Sequence, residues 1–128
     1  MRAAAMFDID DTLITNSGSP IAYSINLLKK LKRQGYVIVI MTARPPEFKE
    51  YTVRQLKKFG IPYDTLVFSP ARDKTRAKNQ LKNYKFVLSV GDKTTDLGGS
   101  TYWIKMPDYR VPTIKTNISS DFRNFYKL

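Results

Sequence analysis

The apolar positions change rhythm several times along the chain. Residues 3–7, "AAAMF", are a short unbroken apolar run and predict a buried strand. In "SPIAYSINLLKKLKRQGY" the apolar residues Ile21, Ile25, Leu28 and Leu31 recur at helical spacing, with Ser19 and Pro20 placed to open the helix and Gly35 to close it. Residues 36–41, "YVIVIM", form a continuous, largely β-branched run, the pattern of a strand covered on both faces. "RPPEFKEYTVRQLKKFG" returns to the helical rhythm, with prolines at its start and Gly60 at its stop. Phe48, Tyr51, Leu56 and Phe59 are predicted to give it a broad inner face. "TLVF" is a third strand, and Asp73 is placed to cap a third helix reaching about Leu81. Residues 86–90, "FVLSV", and 101–106, "TYWIKM", are a fourth and fifth strand. After Met106 the chain turns polar and irregular. Its Tyr109, Phe122, Phe125 and Tyr126 are read either as packing back on the domain or as a contact with a second copy, which leaves a homo-oligomer open.

Alternating strands and helices imply right-handed crossovers and a parallel sheet with helices on both faces. The expected fold class is therefore α/β, a three-layer α/β/α sandwich with a central parallel sheet, and the 128 residues are read as a single domain, 1–128. Ligands of such sheets bind beyond the carboxyl ends of the strands. The residues just past each strand are consequently informative. Asp8, Asp10 and Asp11 come after the first, Thr42 and Arg44 after the second, Ser69 and the helix start near Lys74 after the third, and Asp92 and Asp96 after the fourth. All of these fall on one edge.

Composition narrows the chemistry. Twenty-two Lys and Arg against 11 Asp and Glu give a net charge of +11, which favours anionic partners and leaves nucleic acid open as one. The absence of cysteine and histidine excludes disulfides, thiolate or imidazole metal sites and histidine-based triads. Proton transfer must come from carboxylates, lysines or tyrosines. No apolar run approaches the ~20 residues of a membrane span, and the stretch after Arg2 is too short for a signal peptide. An intracellular, cytoplasmic location away from membranes is the expectation.

Asp8, Asp10, Asp92 and Asp96 are expected to meet across neighbouring loops. Four carboxylates in one cleft repel one another, and a hard divalent cation resolves the conflict. Magnesium suits oxygen ligands, whereas zinc or copper would lack the imidazole or thiolate they favour.

These residues resemble the haloacid dehalogenase (HAD) superfamily of phosphotransferases. Its D-x-D-x-T motif is matched by Asp8-Ile9-Asp10-Asp11-Thr12, its strand-final Thr or Ser by Thr42 in "VIVIMT", its lysine by Lys74, and its G-D-x-x-x-D by Gly91-Asp92-Lys93-Thr94-Thr95-Asp96. The matches run in family order from Met6 to about Gly99. The segment "DKTRAKNQLKNYKFVLSVGDKTTDLGG" is similar to the class C acid phosphatases, and the layout also resembles the phosphatase domain of polynucleotide kinase–phosphatases. The chain departs from the class C pattern in its shorter frame, so secretion and that family's substrates do not carry over.

The resemblance implies a magnesium-dependent phosphomonoester hydrolase working through an aspartyl-phosphate. Asp8 would be the nucleophile and Asp10 the acid and base. The metal would lie among Asp8, the main-chain carbonyl of Asp10 and Asp92, with Asp96 assisting. Thr42 and Lys74 would hold phosphoryl oxygens, and Arg44 would assist phosphate or merely solvate its loop. Only the first turn of the third helix lies near the reactive edge, which favours Lys74 over Lys78. Asp11 is read as a cap or ion-pair residue. Helical lysine runs such as "LLKKLKR" are read as solvated faces. The intervals hold single helices and one strand, so no cap domain is expected and the site should be open. An open site suits a bulky substrate such as a polynucleotide end or a phosphoprotein, or else a neighbouring subunit acts as the lid; the positive charge favours phosphates of nucleotides or nucleic-acid ends. Two rivals stand beside this reading. One is a non-catalytic domain of the same fold binding nucleic acid through its basic surface; the other is a receiver-like domain, disfavoured because no lone Asp follows "VIVIM".

Overall fold

The structure, a computed structural model, describes residues 1–107 and the backbone of 117–118. Its elements run β1 (Arg2–Phe7), α1 (Ala22–Arg33), β2 (Val37–Thr42), α2 (Lys49–Lys58), β3 (Thr65–Phe68), α3 (Lys74–Gln80), β4 (Tyr84–Gly91), β5 (Tyr102–Lys105) and β6 (Asn117–Ile118). The sheet order is β3-β2-β1-β4-β5-β6; β1 to β5 are mutually parallel and β6 adds an antiparallel edge. The α/β class and parallel central sheet are as the alternating pattern predicts. Tyr109, Phe122, Phe125 and Tyr126 lie outside the described residues.

Side-chain alternation along the central strands builds two cores. Ala5 and Phe7 of β1 and Ile38 and Ile40 of β2 face α1 and α2, packing with Ile25, Leu28, Leu31 and Leu56. Ala4, Met6, Val37, Val39 and Met41 face the other way, where Ala77 and Leu81 of the α3 segment cover them. All six residues of β2 are buried, which is why that strand carries no alternation in sequence. Burying one such Leu, Ile or Phe contributes about 1.5–3 kcal/mol, so the strand order is held from both faces. Among the described residues no helix is long and apolar enough to cross a membrane.

Three local expectations need correction. Helix α1 does not open at Ser19–Pro20; it begins at Ala22, with no side-chain cap. Ser19 is committed to a tight turn, its carbonyl accepting from the Thr15 N–H (2.8 Å) and its own N–H donating to Thr15 Oγ1 (3.0 Å), while Pro20 bridges Ile14. Gly18, at φ +87°, permits that turn. Phe48 and Tyr51 are not on the inner face: they are 51% and 54% exposed. Phe48 belongs to a separate 3₁₀ turn, Pro46–Phe48, ahead of α2, and Tyr51, five residues before the buried Leu56, lies on another side of the helix from it. Asp73 precedes α3 but makes no cap bond; its carboxylate accepts from Arg76 at 3.2 Å.

Candidate active site

Strands β1 and β4 lie side by side, with Phe7 opposite Val90. The chain therefore leaves both strands at one point, and the Asp8 N–H donates to the Val90 carbonyl at 3.0 Å. Carboxylate oxygens of Asp8, Asp92 and Asp96 all lie within 4.8 Å of one another, and the three residues are buried. Asp96 reaches this point through a 3₁₀ turn, Thr94–Asp96, where its Oδ2 accepts from the Lys93 N–H (3.1 Å). Gly91 makes room for it, since a Cβ at position 91 would collide with the Asp96 side chain.

Lys74 opens α3 and inserts its ammonium among the acids, donating to Asp8 Oδ1 (2.8 Å) and Asp96 Oδ1 (2.5 Å) while 2% exposed. Lys78, one turn later, is also buried. Its Nζ donates to Ser89 Oγ (2.9 Å) and to the main-chain carbonyls of Asp96 (2.6 Å) and Gly98 (2.5 Å). The two lysines thus divide the work: Lys74 meets the reactive carboxylates and Lys78 fastens the loop that carries one of them. Sequence reasoning made Lys78 only a runner-up for the phosphate-binding lysine and missed this fastening role; its spacing of one helical turn from Lys74 was the available signal.

Asp10 does not join the three carboxylates. Its side chain is 44% exposed and is gripped by Arg44, whose Nη2 donates to Oδ1 (2.8 Å) and Nε to Oδ2 (3.0 Å). Three carboxylates converge, then, and the expected fourth stands at the mouth. Arg44 also donates from Nη1 to Thr52 Oγ1 at 3.1 Å. Thr42 is fully buried, and its Oγ1 accepts the Arg44 N–H at 3.1 Å, setting the direction in which the chain leaves β2. Thr12 sends its Oγ1 toward Asp8 Oδ2 at 3.5 Å. Asp11 takes φ 60° and its Oδ1 accepts the Asn16 N–H (3.1 Å), so it shapes the loop, in line with its reading as a cap.

The electrostatics follow from three crowded acids, two of which, Asp8 and Asp96, share one buried ammonium. Burial, with the Asp96 charge adding to it, pushes Asp8 well above the usual carboxylate range against the pull of Lys74. Burial and Asp96 also raise Asp92. Burial would lower Lys74, but Asp8 and Asp96 outweigh it and raise the ammonium. Burial brings Lys78 down to about 8. The donor set is all hard carboxylate oxygen, convergent and short of positive charge, which fits a divalent cation of the magnesium or calcium kind.

A parallel α/β sheet with acids gathered beyond the β1 and β4 ends defines a Rossmann-like fold with an acidic ligand site at its carboxyl edge. The model of HAD superfamily, subfamily IIIB (Acid phosphatase), matches residues 17–112, and the chain belongs to that family. The matched range starts after Asp8 and Asp10, so their roles rest on the motif and the geometry. A Bacillus cereus protein carrying the provisional name of nucleotidase is 38% identical over 52 residues, covering 41% of this chain and 28% of that protein. An uncharacterized Arabidopsis thaliana protein is 27% identical over 123 residues, 85% of this chain and 43% of its own length. Among solved structures, the class C acid phosphatase from Bacillus anthracis superposes with a TM-score of 0.62 at 21% identity, covering 77% of this chain and 54% of that one. A chain of the Pnkp1/Rnl/Hen1 complex gives 0.62 at 23%, covering 74% and 40%. At such identities the structural likeness establishes the fold. The chain spans less than half the length of the sequence relatives it matches.

Proposed function

We propose that this chain is a single-domain, magnesium-dependent phosphomonoesterase acting through an aspartyl-phosphate on phosphates of nucleotides or nucleic-acid ends. The observation that carries the reading is the convergence of Asp8, Asp92 and Asp96 within 4.8 Å around the Lys74 ammonium at the carboxyl edge of the sheet. Asp8, Asp92 and Asp96 would hold the cation, which supplies neutralising charge for the phosphoryl oxygens and for the crowded acids. Lys74 restrains Asp8 through Oδ1 and leaves Oδ2 to attack phosphorus in line. The bond from phosphorus to the ester oxygen breaks as the Asp8–phosphorus bond forms, and Asp10 delivers a proton to the departing oxygen. Water, giving its proton to Asp10, then attacks phosphorus, releasing phosphate and restoring Asp8.

Arg44 is placed to turn one arm from Asp10 to the phosphate, because both residues stand at the open mouth. Thr42 supports it by fixing the main chain at Arg44. The nucleotide assignment draws support from the +11 charge, the nucleotidase-named relative and the likeness to a Pnkp1/Rnl/Hen1 chain.

The test is hydrolysis of p-nitrophenyl phosphate with magnesium, with EDTA, and by Asp8→Asn. Turnover should need the metal and fall to background in the variant while circular dichroism stays native. Full turnover by Asp8→Asn would remove it as nucleophile. Nucleic-acid binding that survives Asp8→Asn, with no hydrolysis of any ester by the unaltered chain, would instead favour the non-catalytic basic domain.

A further inference from the structure

Charge is divided between the two ends of the sheet. The acids that follow β1 and β4, and Glu47, Glu50 and Asp73 near the starts of α2 and α3, stand at its carboxyl end. In a parallel α/β fold each helix runs back against the strands and finishes beside their amino ends. There the cations collect. Lys57 and Lys58 end α2 ahead of β3, Lys32 and Arg33 end α1 ahead of β2, Arg2 begins β1, and Lys82 and Lys85 flank the start of β4. All but Lys32 are exposed. Taken in that sequence they follow the sheet order β3-β2-β1-β4, a row about 14 Å wide between its outer strands. Asp64 is the one acid at this end among the described residues, and Lys32 takes it at 2.9 Å. A cation in the last turn of a helix offsets the helix dipole, but Arg2, Lys82 and Lys85 lie in no helix. The row ends in a groove of about 560 Å3, where Lys82 and Lys85 stand with Asn79, Ser100 and Thr101 and no carboxylate joins the lining.

We propose that this amino end of the sheet binds nucleic acid through its phosphate backbone, as a face separate from the carboxylate site. Like charges held in a row repel one another, and a polyanion laid along them relieves that repulsion. Width selects a polymer over a single phosphate, because a duplex presents about one charge per 1.7 Å and the row spans several. An anionic membrane fits less well, since a protein held at that interface buries apolar side chains beside its cations. Of the exposed large apolar residues, Met1 alone stands at this end among those described; Tyr23, Phe48 and Tyr51 lie near helix starts at the other, and Trp103 is level with Ser89 in mid-sheet. The six residues of β1, ~20 Å of strand, separate Arg2 from Asp8, so the phosphates held here are not the one hydrolysed. Binding of this kind needs neither Asp8 nor a metal.

The probe is a fluorescent duplex of about 20 base pairs with hydroxyl ends, which offers the carboxylates no terminal phosphate, followed by anisotropy from about 50 to 200 mM salt. Lys82→Glu with Lys85→Glu, and Lys57→Glu with Lys58→Glu, are compared with Lys49→Glu with Arg76→Glu, which reverses as much exposed charge at the other end. Circular dichroism and p-nitrophenyl phosphate hydrolysis are measured alongside. Affinity of the unaltered chain should fall steeply with salt. Either amino-end pair should weaken binding about tenfold or more at the lower salt and reduce the salt slope by about two, with hydrolysis unchanged, whereas the control pair should change affinity less than about threefold. Where a reversal unfolds the chain, Lys82→Gln with Lys85→Gln carries the same expectation. Absence of binding, equal weakening by all three pairs, or tighter capture by phosphatidylserine vesicles or polyglutamate overturns the proposal. A duplex that competes with p-nitrophenyl phosphate also overturns it, by placing nucleic acid at the carboxylates. Duplex binding weakened by the amino-end pairs in a chain that hydrolyses no ester supports the face and sinks the phosphatase, and hydrolysis without duplex binding does the reverse.

Discussion

Two cation–carboxylate pairs flank the loop after β1, and both close at 2.8 Å, Lys74 to Asp8 and Arg44 to Asp10. Their surroundings differ. Lys74 and Asp8 are 2% and 9% exposed, Arg44 and Asp10 13% and 44%. The first pair is anchored in secondary structure on both sides, at the end of β1 and the start of α3, beneath the loop that carries Asp96. The second is carried on loops at the mouth. Equal lengths therefore hide opposite mechanics. A buried pair is fixed, because separating it strands a charge in a medium that solvates it poorly. An open pair can exchange its partner for water or for an arriving anion at little cost. Fixed acids suit the gathering of a cation, and an exchangeable arginine suits the capture of phosphate.

The sharpest way to break this comparison is Lys74→Met. Removing the ammonium leaves Asp8 and Asp96 buried without their shared counter-charge, and the loss should be ~3–5 kcal/mol by urea unfolding, with hydrolysis abolished. Magnesium should restore more stability to this variant than to the unaltered chain. An unchanged unfolding midpoint would show that the buried pair is not the anchor described. Gly91→Ala comes next. Its added Cβ, in collision with the Asp96 side chain, must push that acid off its position. Overpacking of this kind costs ~1–3 kcal/mol, and the gain in stability on adding magnesium should shrink at the same time.

Arg44→Ala addresses the open pair, and here function should move more than stability. Unfolding should lose only about 0.5–1.5 kcal/mol, the worth of the hydrogen bond to the buried Thr52 hydroxyl, well short of Lys74→Met. The kcat/KM for a phosphomonoester should fall by ~1.5–3 kcal/mol, the worth of a charged hydrogen bond, mainly through KM. A large loss of stability with unchanged KM would place Arg44 with Lys74 as a structural cation and erase the distinction.

How much of this was legible in the sequence divides along a physical line. The succession of strands and helices, and the parallel sheet it implies, were, because unbroken apolar runs such as "VIVIM" and helical repeats such as Ile21, Ile25, Leu28 and Leu31 each carry a period of their own. Asp8, Asp92 and Asp96 were legible as neighbours once their strands were parallel and adjacent. Asp10 was not separable from them, since a strand-end pair two residues apart says nothing of which carboxylate turns inward. Phe48 and Tyr51 misled because apolar character was taken for an inner face, although Tyr51 stands five residues from Leu56, on another side of α2, and Phe48 belongs to the preceding 3₁₀ turn. Ser19 and Pro20 misled for a similar reason: they have the composition of a helix start but close a turn on Thr15. Lys78 was legible only as an alternative to Lys74 for phosphate, and its bonds to the carbonyls of Asp96 and Gly98 give it a different, buried role.

A third pair provides the reference for both. Lys32 donates to Asp64 at 2.9 Å near the amino ends of β2 and β3, away from the reactive edge, with side chains 35% and 39% exposed. Asp64 Oδ2 also accepts the Ile38 N–H at 2.8 Å. Burial alone would raise this acid, but the Ile38 N–H and Lys32 outweigh it, and the folded value lies below the ordinary 3.8. A depressed carboxylate stabilises the fold above its unfolded value, and that contribution disappears as pH falls through the folded one. Asp64→Asn should thus lower stability near neutral pH, by no more than ~0.5 kcal/mol given solvent screening of so open a group. The difference from the unaltered chain should shrink as pH falls below 3.8 and vanish once the pH has passed the folded value, and hydrolysis at neutral pH should be unaffected. Urea midpoints measured across that range would check it. A penalty that persisted into acid would mean that the Ile38 contact, rather than charge, sets the value of the pair; one as large as that of Lys74→Met would mean that exposure does not separate fixed from exchangeable pairs in this fold.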